Sequence, residues 1–388
     1  MKIFSDYALY FLSMAIMTIS FGGFAQQDEP VAEEKKEEVP GFVLGGSVDT
    51  YFHTSFGKDE DAPNTSFAQL PGFGLGMVNL IGAYAGEKAG FTADLVFGPR
   101  GKDAVFANLY TGQSIINQAY VYYKLTNAVT LNLGQFNTFL GYEVISPTVN
   151  FNYSTSYMFS YGPFSHSGMR ADIDFGGGLN AKLAVMNPTD LVEFNPVGTY
   201  SYGMQIGYTN EAGGIWINVI DGDQDGKLKD YDLNGDNASE GNTFHGDITA
   251  GWNFSKHFYL GINSTFRTVA RGEQMDANGN IVESNSGSKG FMGFALYPKI
   301  TLSERLAFGA RGEYFAVQNN YISPFTLDAN GDGHVIDITL SANYKTGSLV
   351  IIPEVRMDVT SNDSFSKSSN GGTSNKLSTF SLAAVYKF

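Results

Sequence analysis

The chain contains no cysteine among its 388 residues. This absence excludes disulfide bonds, thiolate metal sites and a lipid anchor on an N-terminal cysteine. Basic residues are also scarce, because 24 lysines and arginines stand against 39 acidic residues and leave a net charge of −15. Binding to nucleic acid requires clustered lysine and arginine to neutralise phosphates, so we exclude nucleic acid as a partner.

Long apolar runs are missing beyond the N-terminal segment, and the mean hydropathy is only −0.12. Glycine (46), phenylalanine (31) and tyrosine (22) are abundant instead. Aromatic residues favour strands and glycine favours turns, whereas the Leu, Glu, Lys and Ala runs of a helical protein are lacking. The composition therefore predicts an all-β protein.

Residues 1–25 have the pattern of a secretory signal peptide. Lys2 precedes an apolar core at 8–21, and small residues precede an expected cleavage near Ala25. A membrane anchor is the alternative, but about 14 apolar residues are fewer than the roughly 20 that span a bilayer. Residues 26–40 are highly charged and lack aromatic side chains, so we expect a disordered acidic lead-in that acts as a solvated linker.

From Gly41 onward, apolar residues recur at every second position, the period of a β-strand. In the last segment they run from Phe380 to Phe388, with Ser381 and Lys387 on the other face. The same alternation appears in residues 244–254, 306–314 and 349–357. A soluble β-sandwich also alternates, so this pattern predicts strands without placing them in a membrane.

The connections between these segments distinguish a membrane barrel from a soluble sandwich better than the alternation does, because short and long connections alternate. Short connections fall at 87–89, 126–128, 210–213, 255–257, 303–305 and 345–348. Long polar ones fall at 57–73, 100–113, 141–165, 221–243, 271–289, 318–333 and 360–375. This layout predicts a transmembrane antiparallel β-barrel over residues 41–388, in a bacterial outer membrane, with short periplasmic turns and long extracellular loops. We predict about 16 strands, although 14 or 18 stay open because strand boundaries read from sequence shift by roughly two to four residues.

The predicted barrel also explains the final residue, Phe388. In a closed barrel the last strand pairs with the first, so the C-terminal segment is a structural strand. Tyr386 and Phe388 suit the aromatic girdle that contacts membrane lipid. The terminal aromatic also resembles the C-terminal signal that the bacterial outer-membrane assembly machinery recognises, so we expect that machinery as a partner.

If the apolar faces contact lipid, the charged residues of the strands point into the barrel. The predicted pore-lining residues are Asp49, Asp94, Arg170, Asp172, Asp174, Lys182, Asp247, Arg267, Arg311, Glu313, Asp337, Glu354, Arg356 and Asp358. A barrel of about 16 strands leaves an aqueous channel unless something fills it. Acidic residues outnumber basic ones in this set, which predicts a mild preference for cations. The alternative is that these charges only keep the channel hydrated.

The third long connection, residues 150–168, is too aromatic for a freely solvated loop. Its Asn, Tyr, Ser and Phe residues run into Pro163, Phe164 and then Gly168 before the next strand. In this respect the chain resembles the β-barrel porin-2 family, described as OmpL-like, over residues 41–388. The resemblance implies an outer-membrane porin, and the analogy with porins implies a third loop that folds inward to narrow the channel. The alternative is a loop that packs on the barrel rim. The candidate constriction residues are Asn152, Tyr153, Tyr157, Phe159, Pro163 and Phe164.

An acidic stretch resembles a calcium-binding loop. Asp221, Asp223, Asp225 and Asp232, with Gly226 between them, have the spacing of an EF-hand-type loop. The flanking segments have strand patterns, which excludes a helix-opening calcium sensor. A Ca²⁺ ion held in an external loop and an unliganded acidic loop both stay open, and we expect no other cofactor.

The five histidines have no spacing that marks a nucleophile–base pair or a zinc site, so we expect no enzyme activity. The sequence predicts a porin through which small polar solutes or ions diffuse passively. The alternative is a non-conducting barrel whose long loops bind an adhesion partner. A homotrimer is left open.

Overall fold

The computed structural model describes residues 41–56, 71–105, 115–232, 235–284, 287–367 and 371–388. The predicted signal peptide and acidic lead-in lie outside the described residues. Sixteen antiparallel strands pair in sequence order and close into a barrel, which confirms the predicted fold class and strand number. Within the described residues, no helix is long and apolar enough to cross a membrane.

The barrel strands are β1 (Gly41–Ser55), β2 (Gly72–Ala85), β3 (Ala89–Phe97), β4 (Ile116–Lys124), β5 (Val129–Asn137), β6 (Ser165–Gly176), β7 (Leu179–Met186), β8 (Ser201–Asn210), β9 (Gly213–Asp223), β10 (Asn242–Asn253), β11 (Phe258–Val269), β14 (Lys289–Ser303), β15 (Leu306–Gln318), β16 (Gly333–Thr346), β17 (Leu349–Thr360) and β20 (Lys376–Lys387). Two small hairpins lie within long connections: β12 (Glu273–Met275) with β13 (Ile281–Glu283), and β18 (Phe365–Ser366) with β19 (Thr373–Ser374). Short helices span Pro99–Ala104 and Tyr157–Tyr161.

The barrel closes between its first and last strands. β1 pairs with β20 from Ser47, opposite Lys387, to Ser55, opposite Thr379. The N–H of Gly46 donates to the carbonyl of Phe388 at 3.1 Å, and the N–H of Phe388 donates back at 3.0 Å. Phe388 is therefore part of the seam, and both strand ends lie at the short-turn end of the barrel.

The period-two pattern separates the inside of the barrel from the outside. On β16 the side chains of Ile336, Ile338 and Leu340 are exposed on the outer face, while Asp337 and Thr339 between them are completely buried. Successive side chains of a strand point to opposite faces, so the apolar residues form an outer surface suited to lipid. The strand charges lie on the inner face, as the alternation predicts.

Two connections were missed in the sequence. The turn between β6 and β7 is made by three glycines, Gly176, Gly177 and Gly178, whose φ angles of 79°, 63° and 88° are left-handed. Glycine adopts these angles without steric cost, which allows a very tight reversal. The connection 187–200 between β7 and β8 contains Leu191 and Val192, whose apolar character conceals the loop.

Candidate functional site inside the barrel

The connection from β5 to β6, residues 138–164, passes through the barrel interior, and we call it the inner loop. Its side chains take part in four buried apolar clusters, each shared with a different part of the wall. Leu140 packs with residues of β4, β5, β7 and β9, and Ile145 and Phe164 pack with β2 and β3. Tyr142 and Met158 pack with β11 and β14 to β16, and Tyr153 packs with β1, β17 and β20. The inner loop therefore contacts the wall around nearly its whole circumference.

Glycines on the inner face of the wall make room for the inner loop. A Cβ atom on Gly203 or Gly261 would overlap the ring of Phe139 or Tyr142, respectively. A Cβ atom on Gly309 would likewise overlap the ring of Phe151, and one on Gly293 would overlap the side chain of Met158. Because protein interiors are close-packed, the side chains of the inner loop fit against the wall only if these four wall positions are glycine.

Two wall carboxylates bind the backbone of the inner loop. Glu354 on β17 accepts the N–H groups of Tyr153 at 2.7 Å and Ser154 at 3.0 Å. Glu313 on β15 accepts those of Tyr157 at 2.8 Å and Met158 at 2.7 Å. Buried backbone N–H groups need acceptors, and ionised acceptors make the stronger bonds. The two carboxylates thus provide the hydrogen-bond acceptors that water or a neighbouring strand would otherwise provide.

Two arginines complete this attachment. Arg311 lies 2.8 Å from both Glu143 of the inner loop and Asp337 of β16, and it donates to the carbonyl of Ser154 at 2.8 Å. Asp337 also lies 2.9 Å from Arg356. Buried charges that are paired and hydrogen-bonded avoid the cost of isolated buried ions.

Arg356 reaches both the wall and the loop, since it pairs with Asp358 at 2.9 Å and donates to the carbonyl of Thr155 at 2.8 Å. Asp49 on β1 accepts the hydroxyl of Tyr153 at 2.5 Å. Seven of the predicted pore-lining residues are therefore interior, as the alternation predicts, but they belong to this attachment: Asp49, Arg311, Glu313, Asp337, Glu354, Arg356 and Asp358. These seven side chains contact the inner loop or one another instead of lining an open channel, because the expected inward fold of the third loop did not indicate which wall residues it would cover.

Two other predicted pore-lining acids are surrounded by amide donors. Asp94 on β3 accepts hydrogen bonds from the carboxamides of Asn79, Asn117 and Gln118. Asp247 on β10 accepts from Asn218 at 2.7 Å, from Asn263 at 2.6 Å and from the N–H of Gly141 at 3.0 Å. Both carboxylates are buried.

The remaining predicted pore-lining residues keep some contact with solvent. Arg170 pairs with Asp172 at 2.8 Å, and Lys182 lies 3.9 Å from Asp172. The exposed fraction of the side chain is 11% for Arg170, 25% for Asp172 and 24% for Lys182. Arg267 is half-buried, with its guanidinium 5.8 Å from the ring centroid of Tyr321. Asp174 is exposed at the short-turn end, where it accepts the N–H of Gly176.

Lys299 is an interior cation that the sequence analysis missed. It lies opposite Tyr259 in the β11–β14 ladder, with its ammonium 5.0 Å from the centre of that ring, and it is half-buried. It lines a small void of about 10 Å³, roughly enough for one water molecule, beside Tyr142, Glu143 and Phe151. Its inward position follows from the alternation along β14, but the inward-facing Phe291, Ala295 and Tyr297 of the same strand are themselves apolar or aromatic and conceal that alternation.

The candidate constriction residues all lie in the inner loop. Asn152 donates to the hydroxyl of Ser341 at 2.7 Å, and Tyr157 stacks on Phe315 with the ring centroids 6.0 Å apart. Phe159 and Phe164 meet edge to face at 4.8 Å, next to the buried Pro163. Tyr153 is buried completely. The loop therefore lies inside the barrel, in agreement with the inward alternative and not with the rim alternative.

The four aspartates of the acidic stretch bind separate partners. Asp221 and Asp223 lie at the end of β9, where Asp221 accepts from Asn242 at 2.8 Å and Asp223 from the N–H of Gly226 at 2.9 Å. Asp225 accepts the N–H of Glu240, and Asp232 that of Gly235. Burial, with the nearby Glu240 and Asp223 charges, raises the pKa of Asp225 to about 6.

No group of three or more His, Asp or Glu side chains is placed to hold a metal ion in the parts of the chain that the structure covers. Two of the four aspartates belong to a strand that is paired with β10, which keeps them from wrapping around an ion as an EF-hand loop does. Calcium binding in this loop stays a prediction.

Three inward-facing histidines each lie within hydrogen-bond distance of a side-chain hydroxyl group. His53 lies 2.8 Å from Ser381 across the β1–β20 seam, His245 lies 2.8 Å from Thr265, and His166 lies 3.0 Å from Thr138. The partners come from neighbouring strands or from the inner loop, so sequence spacing could not identify them. All three histidines are buried.

Comparison with known proteins gives one family and a common fold. The family model described as "Putative beta-barrel porin-2, OmpL-like" matches residues 41–388. No curated protein matched the chain. Among solved structures, OmpF of Salmonella typhi in complex with daunomycin is 12% identical, with a TM-score of 0.59 over 90% of this chain and 98% of that chain.

Two further solved structures cover 90% of this chain and 100% of their own. They are an anion-selective porin from Comamonas acidovorans, at 12% identity and a TM-score of 0.57, and the trimer form of OmpT, an outer membrane protein of Vibrio cholerae, at 11% and 0.54. At these identities the similarity shows the fold alone. The family model, which covers the whole described barrel, shows that this chain belongs to the OmpL-like β-barrel porin-2 family of the bacterial outer membrane.

Proposed function

We propose that this porin lets small polar solutes and ions cross the outer membrane by passive diffusion, without covalent chemistry. The path runs through narrow water-filled clefts between the inner loop and the barrel wall. Membership of the porin family and the closed sixteen-strand barrel support this function. The charged side chains that keep contact with solvent on the β6 and β7 wall, Arg170, Asp172 and Lys182, support a hydrated path beside the loop.

The observation that carries the proposal is the attachment of the inner loop across the lumen. A sixteen-strand barrel without an insert leaves a wide aqueous channel. Here Glu313, Glu354, Arg311 and Arg356 hold a loop within that channel. The width and charge of the space that is left would then select solutes.

The predicted partners belong to the same proposal. Tyr386 and Phe388 are exposed on the outer face of β20, where they would contact membrane lipid. The terminal strand would be the segment that the barrel assembly machinery recognises. A homotrimer stays a prediction; the Vibrio cholerae protein of the same fold is described in a trimer form.

A second function is a non-conducting barrel whose long loops bind an external partner. The four apolar clusters that join the inner loop to the wall favour it, because close-packed apolar side chains exclude water. The two functions differ in one measurable property, which is whether ions pass through the folded barrel.

Reconstitution in a planar lipid bilayer tests the proposal. We expect stepwise insertions with stable conductance well below that of a barrel with an open lumen of this strand number. The folded state is checked by heat-modifiable migration in gel electrophoresis. Folded, inserted protein that carries no current would overturn the diffusion function and support the loop-binding barrel.

A further inference from the structure

The charges inside the barrel divide into two sets, one that is fully buried among protein groups and one that keeps some contact with solvent. The first set is mostly acidic. Glu313 and Glu354 each accept two backbone N–H groups of the inner loop, and Asp337 and Asp358 pair with arginines. Their oxygens are committed to buried partners, so they are not available to a passing cation.

Asp94 and Asp247 belong to this first set as well. Each is buried and accepts hydrogen bonds from at least two side-chain amides. A cation that approached either carboxylate would have to displace these donors, at the cost of leaving buried amides without acceptors. An excess of acids in the sequence therefore does not produce an acidic path.

The second set is mainly basic. Arg170, Lys182, Arg267 and Lys299 all face inward, and each keeps part of its surface in contact with solvent, from 11% of the side chain for Arg170 to 24% for Lys182 in the pair that flanks Asp172. In the described part of the chain, Arg267 contacts the face of Tyr321 and has no carboxylate within ion-pair distance.

The acids of this second set are fewer. Asp172 is shared between Arg170 and Lys182, which leaves that group of three side chains with a net positive charge. Asp174 lies at the short-turn end, where it accepts the N–H of its own turn. Among the described residues of the inner wall that keep contact with solvent, bases thus outnumber acids, and the ion pair of Lys289 with Glu240 adds no net charge, although the chain as a whole carries a net charge of −15.

We propose, on the basis of the proposed diffusion function, that the solutes are small anions such as inorganic anions and short carboxylates. An ion in a narrow path responds to the charges that reach the water beside it, so Lys182, Arg170 and Lys299 attract anions and repel cations. Asp225 and Asp232 lie in the connection beyond the ends of β9 and β10, and salt screens charges over about 10 Å at 0.1 M and about 3 Å at 1 M. The interior basic set therefore determines selectivity at high salt, contrary to the cation preference expected from the count of acids.

The test is the reversal potential of the reconstituted protein across a potassium chloride gradient. For the natural chain we expect an anion-to-cation permeability ratio above unity that persists at 1 M salt, where rim charges are screened. The double variant Lys182→Gln with Lys299→Gln should move that ratio to unity or below it. Lys256→Gln is the matched control, because Lys256 is exposed in the turn between β10 and β11, outside the barrel strands, and should leave the ratio unchanged.

The outcomes separate this inference from the function on which it depends. A conducting natural protein that prefers cations overturns the anion inference and leaves the diffusion function in place. An anion preference that the double variant does not change overturns the assignment to Lys182 and Lys299. Folded protein without conductance overturns the diffusion function itself, and the anion inference with it.

Discussion

Gly261 on β11 provides the sharpest test of how the inner loop is held. A Cβ atom at this position would overlap the ring and hydroxyl of Tyr142. Tyr142 is buried, lies 2.9 Å from the hydroxyl of Tyr259 and stacks on Tyr297 with a ring separation of 4.1 Å. We therefore expect Gly261→Ala to displace Tyr142 and to weaken the docking of this part of the loop.

The magnitude follows from the interactions that a displaced Tyr142 gives up. A buried hydrogen bond contributes about 1 kcal/mol and an aromatic pair about 1 kcal/mol, while overpacking of a filled interior typically costs about 1–3 kcal/mol. Gly261→Ala should therefore reduce the free energy of unfolding by roughly 2–3 kcal/mol. The released loop should also raise the conductance and its noise, since the lumen beside β11 becomes wider.

Gly312→Ala on β15 is the matched control. Gly312 is exposed on the outer face, and a Cβ atom there would meet nothing within 4 Å. Alanine in a strand is more stable than glycine by about 0.5–1 kcal/mol, so this control should stabilise the barrel slightly. The assay is urea unfolding of the protein folded in lipid vesicles, together with bilayer recordings. Equal unfolding free energies and equal conductance for the two variants would refute the docking of Tyr142 against Gly261.

Three further predictions concern other contacts of the loops. Glu354→Gln places an amide donor where Tyr153 or Ser154 needs an acceptor, so we expect a loss of about 1–3 kcal/mol in urea unfolding and a noisier current; no change in either would show that the carboxylate does not hold the loop. Asp190 accepts the N–H groups of Phe164 and Ser165, and burial raises its pKa to about 6. Its folded pKa exceeds the unfolded value of about 3.9, so its contribution to stability is complete below about pH 4 and is lost as the pH rises through about 6. Proteolysis of the connection 187–200 should therefore accelerate from pH 4 to pH 7, and Asp190→Asn should flatten this dependence, whereas parallel pH profiles would contradict the assignment. Finally, if the acidic stretch binds calcium, millimolar Ca²⁺ should slow proteolysis between β9 and β10 in the natural chain but not in Asp223→Asn, and identical digestion of both would remove the calcium prediction.

The barrel itself could be predicted from local patterns. Alternation along residues 349–357 identified which side chains of β17 face inward, and the structure confirms that Glu354, Arg356 and Asp358 are buried there. The missed connections have a local cause too. The two residues between β6 and β7 are both glycine, so this turn lacks a charged residue such as Glu211 or Glu304 that marks other short turns, and apolar residues in the connection 187–200 resemble a strand.

The sequence by itself determined the closed barrel, its strand parity and the seam at Phe388, because a period of two and the lengths of connections are properties of neighbouring residues. Only the tertiary structure decided what the interior charges do. Tyr153 and its acceptor Glu354 are 201 positions apart, and Tyr157 and Glu313 are 156 positions apart. No local pattern encodes such pairs, since they arise only when the closed barrel brings its wall around the inner loop. The same closure decides which charges remain in contact with water, and therefore which ions we expect the barrel to carry.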